Sequence, residues 1–178
     1  MYVALLRAIN LASKNRLPMK DLAEMFLAAG CRDVSTYIQS GNVIFNASAS
    51  VLKKLPKKIE AQIADQFGFQ VPVIIRSSEQ LARIVEKNPY LKEAEAAKTV
   101  FVFFLADEPE ASAIAKLDAQ RSPPDRFDVS EGNIYVHLPN GFSNTKLTNV
   151  YFDSKLATKG TARNWATVLK LLELTSRS

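Results

Sequence analysis

Two basic segments hold the side chains best suited to chemistry in this sequence of 178 residues. In the first, Arg7, Lys14, Arg16 and Lys20 precede any acid, which arrives only at Asp21, and Asn10 and Asn15 add side-chain amides. In the second, Thr161-Ala162-Arg163-Asn164-Trp165 follows Lys159 and meets no acid until Glu173. Thr161 reads as the N-cap of a last helix running from Ala162 to about Leu174, which puts Arg163 and Asn164 in its first turn beside unpaired backbone N–H groups. Cations at a helix start oppose the macrodipole, whereas a bound anion suits it. Arginine grips a phosphate or carboxylate through two parallel hydrogen bonds. The pattern predicts that Arg7, Asn10, Lys14 and Asn15 from the loop and Arg163 and Asn164 from the helix converge on one small anionic, phosphate-bearing ligand. The plainer alternative is solvated loop charge, with Asn10 bonding loop backbone and Arg163 pairing with Asp21 or Asp153.

Weaker candidates lie elsewhere. Tyr37, Ser40 and Asn42 flank Gly41 in a turn, where hairpin chemistry accounts for the glycine and asparagine and a pocket-lining role is the alternative. Lys146 follows a Gly-Phe-Ser-Asn-Thr loop and is a further candidate cation. Trp165 falls on an apolar stripe with Val168, Leu169 and Leu172 and reads as core. An enzyme at the same site would need Tyr37 or a lysine as proton donor, and no carboxylate pair or nucleophile–base arrangement is visible. Cys31 and His137 are the sole cysteine and histidine. Any nucleophile–base pair must therefore use His137, which sits in a strand-like run. No metal or cofactor is expected.

The net charge of +5 permits anionic partners without requiring nucleic acid. The apolar run Val100 to Ala106 is too short to span a bilayer, and Arg7 interrupts the N-terminal apolar stretch before a secretory signal can form. With one cysteine, this predicts a cytoplasmic protein without membrane association. Nucleic-acid binding and a protein-interaction role are the rival readings. RNA recognition on a sheet face finds little support, because Tyr2 and Phe45 are too few aromatics and the basic signature is absent.

These residues must be positioned by a regular framework. Tyr2 to Ile9 reads as a buried strand, Asn10 to Pro18 as a loop, and residues 19–29 as a helix with Leu22, Met25, Phe26 and Ala29 on one face. Two short strands around Gly41-Asn42, a helix over about 55–66 and a strand over 71–76 complete a β-α-β-β-α-β order, the ferredoxin-like plait. Ser77 and Gln80 suggest a capping box for a short helix to about Lys87, and Glu93 to Lys98 reads as a linker. The second half repeats the theme. Thr99 to Leu105 is a strand, Asp107 caps a helix, and strands flank Gly132-Asn133, where Glu131 to Val136 parallels Ser40 to Phe45. After a helix at about 148–157, Gly160 breaks the chain, and the expected fourth strand is missing. The predicted fold is α+β, a duplicated pair of ferredoxin-like plaits with C-terminal helices: residues 1–77, a connection over 78–98, and 99–178.

Three separated motifs also resemble the bacterial domain-of-unknown-function 1697 family. They are Leu6-Arg7-Ala8-Ile9-Asn10 with Lys14-Asn15 and Pro18-Met19-Lys20-Asp21-Leu22; Thr36 to Phe45; and Lys146-Leu147 with Thr161 to Val168. The resemblance implies two ferredoxin-like subdomains and no assigned activity. The family usually has Gly-Gly in the first loop, where this chain has Ala12-Ser13, which makes a glycine cradle for phosphate less suitable here.

Overall fold

β1 (Tyr2–Leu6) is buried along nearly its whole length, as its unbroken apolar sequence requires. The computed structural model describes residues 1–11, 14–92 and 96–176. The chain divides into two compact units, Met1–Leu81 with the chain from Leu171 onward, and Ala82–Lys170. Ala12-Ser13 and the start of the expected linker, residues 93–95, lie outside the described residues.

In the first unit β1 is followed by α1 (Met19–Ala28), β2 (Arg32–Tyr37), β3 (Asn42–Asn46), a single turn α2 (Ala49–Leu52), α3 (Leu55–Phe67) and β4 (Val73–Ser77). The sheet order β2-β3-β1-β4, antiparallel throughout, is that of the plait. Side chains alternate across a strand. Tyr2, Ala4 and Leu6 of β1, Val43 and Phe45 of β3, and Val73 and Ile75 of β4 meet Leu22, Met25 and Phe26 of α1 and Leu55, Ile59 and Ile63 of α3. Each such aliphatic or phenyl group removed from water contributes about 1.5–3 kcal/mol. The opposite face carries Val3, Leu5, Ile44 and Ile74, also buried. Gly41 permits the β2–β3 turn to close on β1. Its φ is +78°, and an added Cβ would lie 2.8 Å from Leu6 Cβ.

The second unit repeats this plan. Its elements are β5 (Val100–Leu105), α6 (Ala111–Ile114), β6 (Arg126–Ser130), β7 (Asn133–His137), α7 (Asn149–Leu156) and β8 (Gly160–Asn164), in sheet order β6-β7-β5-β8. Phe103 and Leu105 of β5 and Ile134 and Val136 of β7 pack on Tyr151, Phe152 and Leu156 of α7. α4 (Ser78–Glu86) and a single turn α5 (Ala96–Thr99) precede β5, and α8 (Trp165–Thr175) follows β8. No helix among the described residues is long and apolar enough to cross a membrane.

Three expectations are corrected. The fourth strand of the second plait exists: β8 pairs antiparallel with β5, from Phe101↔Asn164 to Leu105↔Gly160. Its sequence, Gly-Thr-Ala-Arg-Asn, lacks the apolar alternation that advertises a strand, so its conformation is set by pairing with β5. Gly160 does not break the chain but allows close approach, because a Cβ there would come within 3.1 Å of Leu105 and 3.4 Å of the Phe104 carbonyl. The last helix therefore begins at Trp165. Asp107 caps no helix; its backbone N–H donates to Thr158 Oγ1 at 3.1 Å, and α6 is a single turn starting at Ala111.

Candidate functional site

The loop leaving β1 is shaped by its asparagines. Asn10 Nδ2 donates to the Leu17 carbonyl (2.9 Å) and to the Gln39 carbonyl (3.0 Å), while its Oδ1 accepts from Leu17 N–H (2.8 Å). Asn15 Nδ2 donates to the Ala8 carbonyl at 3.0 Å, and Asn10 N–H donates to the Asn15 carbonyl at 3.0 Å. Both residues are in the left-handed region, with φ of 54° and 51°, and so is Ala8 at 55°. Asparagine tolerates this conformation, but alanine does so at a cost of roughly 1–2 kcal/mol. Lys14 and Arg16 are exposed and Arg7 is half-buried. The loop delivers the chain to α1, whose N-cap is Pro18 and receives no side-chain cap bond. Lys20 pairs weakly with Glu24, one turn on, at 3.9 Å.

The asparagine side chains thus brace the loop's own backbone. The same holds in the neighbouring turn, where Asn42 Nδ2 donates to the Tyr37 carbonyl and to Ser40 Oγ, each at 3.0 Å. Asn42 is wholly buried and Tyr37 half-buried.

Thr161, Arg163, Asn164 and Lys146 belong to the second unit. Thr161 is not an N-cap, because it lies inside β8 opposite Phe104. Asn164 takes that part, its Oδ1 accepting from Thr167 N–H at 2.8 Å. Arg163 is a buried strand residue whose Nη1 donates to Thr161 Oγ1 (2.9 Å) and to the Ala162 carbonyl (2.8 Å). Desolvation holds its guanidinium down to about 10. Asp153, one of its suggested acidic partners, takes Lys159 at 3.4 Å and accepts from Gly160 N–H at 3.0 Å. Lys146 exposes its side chain, and its backbone is held by Ser122 Oγ and by Arg121 Nε. Trp165 is buried.

Sequence inspection passed over Arg76, the counterpart of Arg163. It stands opposite Val3 as Arg163 stands opposite Val102. Its Nη1 donates to the preceding carbonyl, Ile75, at 3.0 Å, and desolvation holds it at about 10 as well. Each arginine is followed by the N-cap of the next helix, Ser77 or Asn164. The readable signal was the dipeptide Arg-Ser or Arg-Asn ending the fourth strand of each plait. The two aromatics judged too few for RNA stacking are also placed: Tyr2 stacks on Phe45 at 5.9 Å against the helix-covered core.

The architecture is a tandem of ferredoxin-like plaits, and it is shared with a solved structure, the conserved bacterial protein SP0830 from Streptococcus pneumoniae. That protein is 22% identical, superimposes with a TM-score of 0.71, and is aligned over 98% of its own length and 99% of this chain. The chain belongs to the family described as protein of unknown function DUF1697, whose model matches residues 1–135. Nothing among curated proteins matches it.

Proposed function

We propose that this protein binds a small anionic, phosphate-bearing ligand at the loop between β1 and α1. The observation that carries the reading is the held shape of the loop's described residues. Ala8, Asn10 and Asn15 are fixed in left-handed conformations around Arg7, Lys14 and Arg16, next to a helix start without a side-chain cap. Ala8, which lacks asparagine's tolerance for that region, stores strain there, and stored strain concentrates at sites that must be preorganised. The cations supply charge, the first turn of α1 supplies N–H donors, and the asparagines hold the frame. Arg163 and Asn164 have structural work within their own unit and are left out of the site.

Thermal unfolding in the presence of nucleotides, sugar phosphates and sulfate tests the reading. At least one phosphate compound should raise the melting temperature, and a Lys14→Ala/Arg16→Ala double variant should lose that rise while melting normally alone. A flat panel, or an equal rise in the variant, refutes it.

A further inference from the structure

A second basic surface lies at the other end of α1. From Val34 to Ile59 the chain contains no acid, and Lys53, Lys54, Lys57 and Lys58 fall within six positions. All four are exposed, at the junction of α2 and α3. Lys53/Lys57 and Lys54/Lys58 are like-charged pairs one turn apart, an arrangement that destabilises a helix. Lys54 occupies the N-cap position of α3 without a capping bond, and the first turn holds no acid. Lys58 Nζ approaches the Ala28 carbonyl at 3.4 Å, which places the cluster beside the C-terminus of α1. Among the described residues, Lys53, Lys54 and Lys57 have no acidic partner.

The duplicated plan supplies an internal comparison. The corresponding helix of the second unit, α7, starts conventionally, with Thr148 Oγ1 accepting from Tyr151 N–H at 3.2 Å. Folding this plait therefore does not call for lysines at that position. From the exposed lysine cluster on α2–α3 we infer a docking surface for the phosphodiester backbone of a nucleic-acid duplex, read without regard to sequence. Lysines are point charges suited to phosphate, and helix first turns contribute N–H contacts to the same groups. Residues 49–58 include no aromatic, and the apolar neighbours Leu55 and Ile59 are buried in the core, so this segment offers no stacking platform for single strands and little to insert into a bilayer. Leu27, beside Ala28, is the exposed apolar exception.

Fluorescence anisotropy of the intact protein with a labelled mixed-sequence duplex, between about 50 and 200 mM salt, is the test. Affinity should fall with salt at a log–log slope approaching about −3 to −4, near −0.9 per phosphate neutralised. The K53Q/K54Q/K57Q/K58Q variant should lose binding at low salt, and the K53R/K54R/K57R/K58R variant should keep it, with neither melting below the parent. Absence of duplex binding at low salt, or undiminished binding by the glutamine variant, overturns the inference. Binding to anionic phospholipid vesicles but not to duplex overturns it in favour of a membrane surface.

Discussion

Tyr135 shows how burial and charge act together on one side chain. It lies on β7 opposite Asp128 and Val102, only 2% exposed, and its hydroxyl is pushed up to about 12 by desolvation first and by Glu131 and Asp128 after it. In the unfolded chain a tyrosine ionises near 10. Between those values the folded state holds a proton that the unfolded state has released. Stability must then fall as pH rises from about 10 to about 12, and is unaffected by this group below that window. Urea unfolding across that range should show a shallower alkaline decline for Tyr135→Phe than for the parent; parallel declines would remove Tyr135 as a cause. At the same scale, the sequence announced that Asn10 and Asn42 matter without saying how. Asn10 bonds Gln39, 29 positions away, and no local pattern encodes such a partner. The residue types were legible, while the partners their amides bond were set by the fold.

At the level of elements, the start of α8 separates what is locally encoded from what is not. Asn164 is a good N-cap by residue type, yet Thr161 is also favoured, and both are followed by residues that can continue a helix. The choice falls to β5, which holds Gly160–Asn164 extended by five register pairs. Asn164→Ala should cost about 1 kcal/mol in chemical denaturation, and Asn164→Asp far less. A cost for aspartate as large as for alanine would show that the Thr167 N–H bond is not what stabilises this helix start. The capping box at α4 needed no such arbitration. Ser77 Oγ accepts from Gln80 N–H at 3.2 Å and Gln80 Oε1 accepts from Ser77 N–H at 2.8 Å, as their spacing predicts. Likewise the apolar stripe of α1 reached the core through Leu22, Met25 and Phe26.

Across the whole molecule the duplication runs deeper than the short hairpin match. Leu6 N–H donates to the Gly41 carbonyl at 2.8 Å and Leu105 N–H to that of Gly132 at 3.0 Å. Arg7 and Ala106 N–H then donate to Pro72 and Lys159 at 3.3 and 2.8 Å. In each unit the first strand is central and the second, β2 or β6, is an edge. Amide hydrogen exchange should accordingly be slowest at Ala4, Leu5, Phe103 and Phe104, and faster by orders of magnitude along β2 and β6. Protection of β2 and β6 equal to that of β1 and β5 would contradict the strand order. By itself the sequence determined the elements whose signal is local: apolar runs, helical stripes, glycine turns, a capping box, and the doubled plait they spell out. It determined too that positive charge gathers near residue 10. Tertiary pairing alone decided that residues 160–164 are a strand and that Arg76 and Arg163 are matched buried cations. A five-residue strand without apolar alternation has no conformation of its own to announce; it takes one from the neighbour whose backbone hydrogen bonds it completes.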